Sequence, residues 1–126
     1  MDNLQNRLVL IVDDEEKNIY ALANYLEAIG MNVETAQNGE EAIEKLQAGL
    51  KPDVILLDMM MPVMDGYETL DVLRRTEKFN YIPVMAVTAR AMKGDYEKCM
   101  EAGAWDYMSK PINMNKLIDK LSEWIK

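Results

Sequence analysis

The run Val54-Ile55-Leu56-Leu57, closed at once by Asp58, constrains this chain more than any other stretch. Four consecutive aliphatic residues without polar alternation read as a strand buried on both faces, the kind found inside a parallel sheet covered by helices. The strand ends on an acid. Pro62 and Gly66 follow, so the chain turns before the next helix begins. Asp58 is therefore expected on a loop above the sheet edge, where open α/β sheets bind ligands and do chemistry.

The same pattern recurs along the chain. Leu8-Val9-Leu10-Ile11-Val12 reads as another buried strand, and it ends in Asp13-Asp14. Ile19, Leu22, Leu26 and Ile29, spaced by three and four, predict a helix that Gly30 stops. Met31 to Ala36 reads as a short strand. Asn38-Gly39 then leads into a helix whose apolar face carries Ala42, Ile43, Leu46 and Leu50, broken by Lys51-Pro52. Tyr67, Leu70 and Leu73 mark a third helix, which gives way to a polar stretch from Thr76 to Asn80. Ile82 to Val87 predicts a fourth strand, with Pro83 at its start, ending at Thr88. Asp95 is expected to cap a helix running through Ala102, with Gly103 as its stop. Trp105 to Met108 reads as a fifth strand, followed by Ser109-Lys110-Pro111. The last helix starts near Asn113 and buries Met114, Leu117, Ile118, Leu121, Trp124 and Ile125. Five strands alternating with five helices predict a doubly wound parallel sheet of right-handed βαβ units.

Composition narrows the function. With 126 residues, one domain is expected, its core spanning about residues 7–125. A formal charge of −8 argues against direct nucleic-acid binding, which needs a basic face. The apolar runs are too short for a bilayer and no signal peptide opens the chain, so a cytoplasmic protein without membrane contact is expected. Cys99 is the only cysteine and reads as a small buried helix residue. There is no histidine, which removes Ser-His and Cys-His catalysis and a histidine phosphodonor within the chain. The eleven methionines, Met59-Met60-Met61 included, read as core filler.

In a parallel sheet the C-terminal strand ends lie together. Asp13 and Asp14, Asp58, Thr88 and Lys110 should therefore converge from four separate stretches. Three carboxylates and a backbone carbonyl near Asp58 make a hard-oxygen site suited to Mg²⁺. A lysine and a hydroxyl opposite them complement an anion held between. These are the parts of phosphoryl transfer: a nucleophile, a divalent cation, and donors aimed at the equatorial oxygens. Taken singly, each residue has a plainer reading. Asp13-Asp14 can cap a helix, Asp58 can form a turn, Thr88 can simply end a strand, and Lys110 before proline can be a solvated turn residue. Taken together the balance reverses, because four unrelated strands would have to end this way by accident.

Val12-Asp13-Asp14, Leu57 through Gly66, Val87-Thr88-Ala89 and Tyr107-Met108-Ser109-Lys110-Pro111 occur in this order over nearly the whole chain. In this the chain resembles a response-regulator receiver domain. The resemblance implies a flavodoxin-like sheet of order 2-1-3-4-5. It implies that Asp58 takes a phosphoryl group from a phosphohistidine on a partner, a histidine kinase or a histidine phosphotransfer protein. Asp13, Asp14, Asp58 and the Met60 carbonyl would hold Mg²⁺, Lys110 would contact the phosphoryl group, and the Lys110–Pro111 bond would be cis. Thr88 and Tyr107 would act as the switch, altering the surface near the fourth and fifth helices for a downstream protein target. Met60 and Arg90 occupy the positions that tune phosphate lifetime in the family. A methionine at 60 cannot orient an attacking water, so slow self-hydrolysis is expected. No organic cofactor is implied. The expected role is a signalling domain that promotes its own aspartyl phosphorylation and dephosphorylation, rather than an enzyme.

Residues 91–103, from Ala91-Met92-Lys93-Gly94 to Ala102-Gly103, and Asn18-Ile19-Tyr20-Ala21-Leu22 are similar to receivers of hybrid histidine kinases. Ile112 stands where DNA-binding regulators that dimerise through the fourth and fifth helices have phenylalanine, so a monomer is expected. No output domain is expected beyond Lys126. A haloacid-type phosphatase needs a second acid where Met60 stands, and a dinucleotide binder needs a glycine-rich loop where Asp13-Asp14-Glu15-Glu16 would repel phosphates. The remaining alternative is a receiver-like interaction module that works without phosphorylation.

Overall fold

Successive residues of the central strands feed opposite sides of one sheet, and this fixes the architecture. The computed structural model describes residues 2–89 and 94–125. In it β1 (Leu8–Val12), β2 (Asn32–Ala36), β3 (Val54–Asp58), β4 (Val84–Thr88) and β5 (Asp106–Ser109) pair in parallel, in the order β2-β1-β3-β4-β5. The helices α1 (Glu16–Ala28), α2 (Gly39–Gln47), α3 (Gly66–Arg75), α4 (Asp95–Ala102) and α5 (Met114–Trp124) connect them, after a short 3-10 turn at Asp2–Leu4. The expected fold class and strand order both hold.

Leu10 and Val12 of β1, Ile55 and Leu57 of β3, and Val84 and Ala86 of β4 face the layer formed with α2 and α3. Val9 and Ile11, Val54 and Leu56, and Met85 and Val87 face the layer of α1 and α5. Every residue of β3 and β4 is buried. A fully buried aliphatic side chain contributes about 2 kcal/mol relative to an exposed one, so the sheet centre is the stable platform of the molecule. No helix among the described residues is long and apolar enough to cross a membrane.

Local chemistry sets where the helices begin. The Asn38 side chain accepts from the Glu41 N–H, and the Asn113 side chain from the Lys116 N–H. Asp65 opens α3 with a reciprocal pair: its carboxylate accepts from Glu68 N–H at 2.9 Å, while Glu68 accepts from Asp65 N–H at 3.1 Å. Asp65→Ala should therefore lower stability by about 1–2 kcal/mol in urea unfolding, and Asp65→Ser should recover most of it. Equal losses for both would show that the carboxylate acts through something other than the cap.

Several boundaries differ from expectation, the second strand beginning at Asn32 and not at Met31. The helix expected to carry Leu50 ends at Gln47, because Gly49 takes a φ of +114° and turns the chain away. Leu50 still packs against the core from the loop. The residue capping α4 is Gly94, in the left-handed region, and Asp95 is the first helical residue. The fourth strand begins at Val84, since Ile82 closes the preceding turn through its N–H on the Phe79 carbonyl at 3.2 Å. The fifth is shifted by one residue, although the Trp105 N–H already pairs with the Val84 carbonyl at 2.9 Å. In the last helix Met114 and Trp124 are only half-buried. Cys99 is buried, as expected.

Candidate functional site

The C-terminal strand ends bring the predicted residues together. β1 hands over to Asp13, whose N–H bonds the Ala36 carbonyl at the end of β2 at 3.1 Å. The Asp13 carboxylate accepts from Glu15 N–H at 2.9 Å, so it braces the turn into α1 instead of capping the helix. β3 ends on Asp58, and the next N–H, of Met59, bonds the Val87 carbonyl at 2.8 Å. Asp58 Oδ1 then accepts from Met60 N–H at 3.0 Å. From β5, the Lys110 N–H bonds the Thr88 carbonyl at 2.7 Å, which ties the lysine to the end of β4. The Lys110–Pro111 bond is cis.

This scaffold carries Lys110 Nζ to 3.1 Å from Asp13 Oδ2 and 3.4 Å from Asp58 Oδ2. Both carboxylates are only 3% exposed, whereas Asp14 faces solvent. The three acids nevertheless offer oxygens that all lie within 4.8 Å of one another. A set of three hard oxygen donors, open to solvent on the Asp14 side, fits a small divalent cation that retains some of its waters. Thr88 is buried beside them at the end of β4. Tyr107 is half-buried one strand over, opposite Ala86, with its ring edge-to-face against Tyr96.

Electrostatics follow from this packing. Burial is the main force on Asp58 and, with the Asp13 charge, raises its pKa from 3.8 to about 6. The Met60 N–H and Lys110 pull the other way. Burial works against the Lys110 charge, but the hydrogen bond to Asp13 and the two carboxylate charges outweigh it, so its pKa rises. Among the described residues the site therefore holds more negative charge than Lys110 balances.

The loop after Asp58 is tightly built. A Cβ on Gly66 would sit 2.5 Å from Met59 Cα, so only glycine lets α3 start this close to the acid. Val63, highly exposed, takes a φ of +69°, a left-handed conformation that burdens a β-branched residue by about 1–3 kcal/mol. Met60 is half exposed at the rim. Arg90, and residues 91–93 of the stretch similar to hybrid-kinase receivers, lie outside the described residues.

Two features escaped the sequence reading. One is the Tyr96–Tyr107 ring contact, which joins residues from separate elements and has no sequence signal. The other is a groove of about 370 Å³ that runs from Asp13 and Lys110 between Leu22 and Tyr25 of α1 and Ile112 and Met114. The amphipathic spacing of α1 was visible in sequence, but not what would lie opposite its end. A larger cavity of about 640 Å³, between the end of α2 and the α3–β4 loop, sits at the other sheet edge, away from these groups.

Known proteins fit this geometry. The family model for the response regulator receiver domain matches residues 9–122. The polar-differentiation response regulator DivK of Brucella anthropi is 37% identical over 117 residues, 93% of this chain and 94% of that protein. The receiver domain of the sensor histidine kinase PA1611 of Pseudomonas aeruginosa PAO1, solved with magnesium coordinated in its active-site cleft, superposes with a TM-score of 0.87. It is 32% identical, covering 95% of this chain and 98% of that one. A chain from the Saccharomyces cerevisiae co-crystal of the histidine phosphotransfer protein Ypd1 with the receiver domain of its downstream response regulator Ssk1 superposes with a TM-score of 0.88. It is 30% identical, covering 97% and 90%.

Proposed function

Because the chain belongs to the response regulator receiver domain family, and is a phospho-accepting signalling domain rather than an enzyme, we propose a role for each residue of its acidic site. Asp58 is the acceptor. One of its carboxylate oxygens attacks the phosphorus of a partner's phosphohistidine, the P–O bond forms as the P–N bond breaks, and the imidazole leaves with the bonding pair. Lys110 releases Asp58 and turns its ammonium to the incoming phosphoryl oxygens, while the Thr88 hydroxyl donates to another. Tyr107 then follows Thr88 and changes the surface near α4 and α5 that a downstream protein reads. Asp13, Asp14 and Asp58, with the Met60 carbonyl, would hold Mg²⁺, which supplies positive charge for the developing anion. Met60 and Arg90 set how long the phosphoryl group persists, and the exposed thioether offers no group to orient an attacking water.

The observation that carries this reading is Lys110, shared among the described residues by two buried carboxylates at 3.1 and 3.4 Å, with a third acid completing the set. A structural salt bridge would pair one cation with one anion; here the excess charge asks for a second cation. The partner is of the histidine kinase or histidine phosphotransfer class. The groove leading from Asp13 and Lys110 gives such a partner an apolar seat beside the acceptor. Incubation with acetyl phosphate and Mg²⁺ should add the mass of one phosphoryl group, lost on hydroxylamine treatment. Asp58→Asn should take up none, and chelation of the metal should slow uptake at least tenfold. Uptake unaffected by Asp58→Asn would overturn the assignment. A folded chain that takes up nothing under any of these conditions would favour a module that works without phosphorylation.

A further inference from the structure

Helix α4 is held to its neighbours by side chains along its length. Its middle is pinned: Cys99 is buried with Sγ 3.6 Å from the Tyr67 hydroxyl, and the Lys98 ammonium lies 4.7 Å from the Tyr67 ring centroid. Just beyond its end, Arg74 Nε donates to the Gly103 carbonyl at 2.8 Å. Gly94 caps the first turn in the left-handed region without a side-chain hydrogen bond, and Cys99 is the buried residue of the helix. One contact that joins this turn to the sheet is aromatic: Tyr96 meets Tyr107 with ring centroids 6.1 Å apart and planes at 88°.

Tyr107 stands beside Ala86 in register, and Thr88 follows Ala86 on the same strand face. In the arrangement seen, Lys110 is closed on Asp13 and Asp58. To move, Tyr107 must give up the edge-to-face contact. We propose that Tyr96 is a positioning residue for the switch: its ring holds Tyr107 against the first turn of α4 and so sets how often the domain visits its phosphorylation-ready form unaided. The inference rests on the reading of Tyr107 as part of the switch. It names a regulator of that switch on an element remote in sequence from the acceptor.

A contact worth a few-fold in population predicts a few-fold change in rate, because a minor form that reacts faster contributes in proportion to how often it occurs. Tyr96→Ala should raise the initial rate of Asp58 phosphorylation by acetyl phosphate and Mg²⁺ about two- to tenfold. Tyr96→Phe, which keeps the ring edge, should stay within about twofold of the parent. Tyr96 is half exposed, so the alanine variant should fold, and its circular dichroism and melting curve check this. With beryllofluoride and Mg²⁺ at saturation, parent and Tyr96→Ala should reach the same NMR shifts around Thr88, since only the balance between forms has changed. Equal rates for Tyr96→Ala and Tyr96→Phe, or a slower alanine variant, would overturn the inference. Tyr107→Ala separates the two levels. If it alters the rate while Tyr96→Ala does not, the Tyr96 inference alone fails. If Tyr107→Ala changes neither the rate nor the beryllofluoride shifts, the switch reading fails and takes the inference with it.

Discussion

Asp58→Asn should make the metal-free protein more stable at neutral pH, by about 2–3 kcal/mol, while destroying its ability to accept a phosphoryl group. The reason is the carboxyl's pKa, raised to about 6 by burial and the neighbouring Asp13 charge. A carboxyl whose folded pKa lies above its unfolded value binds its proton more tightly in the fold. Folding stability must then fall as pH rises through the interval between them, here from about 4 to about 6. Below that window the acid is neutral in both states and imposes no penalty. Above it the full penalty applies, at about 1.4 kcal/mol per unit of displacement. Asparagine cannot ionise, so the gap between variant and parent should open across the same window and hold above it. Urea unfolding in a chelator at pH 4, 5, 6 and 7 measures this directly. Adding Mg²⁺ at pH 7 should narrow the gap, because a cation bound to the native acids stabilises the parent more than the variant. A gap that is equal at pH 4 and pH 7 would show that the buried charge is not its source.

Lys110→Ala should have the opposite sign and similar or larger size. Lys110 lies against two carboxylates that are each almost fully buried, and is itself largely shielded. Its removal leaves both without a cation among the described residues, a change that typically destabilises by about 3–5 kcal/mol. The loss should be largest at neutral pH in chelator. It should shrink near pH 5, where Asp58 is protonated more readily than in the parent, and shrink again in millimolar Mg²⁺. A lysine also packs its methylene stem. If the loss were the same at both pH values and with metal, lost packing would account for it and the charge argument would fail. The two variants thus push stability in opposite directions through one electrostatic cause, and magnesium should pull both back toward the parent.

Much of this was legible in the sequence, for identifiable reasons. The strands of β1 and β3 are uninterrupted aliphatic runs, a pattern few other structures produce, and their acids mark the strand ends directly. Asn38, Asp65 and Asn113 are side chains that cap through their own chemistry, and the helix starts follow them. Where the reading slipped, backbone conformation outweighed side-chain pattern. Leu50 continues the apolar spacing of α2, yet Gly49 at positive φ ends the helix first. Asp95 looks like a cap, yet Gly94 takes that place because its left-handed backbone suits glycine. Convergence of Asp13, Asp58, Thr88 and Lys110 at one edge follows from a parallel sheet. That Lys110 reaches Asp13 more closely than Asp58 does not; it depends on how β5 ends against Thr88. The Tyr96–Tyr107 contact lay beyond sequence reasoning altogether, since nothing in one aromatic residue announces which other it will meet.

The sealing of Cys99 beneath α4 gives the protein a clock. A thiol that is 1% exposed, and whose pKa burial pushes upward, meets an alkylating reagent only when its helix lifts. With no other cysteine to compete, the rate of iodoacetamide capture counts those openings one by one. Compared with and without beryllofluoride, that rate tells whether signalling loosens the helix around Cys99 or only at its first turn.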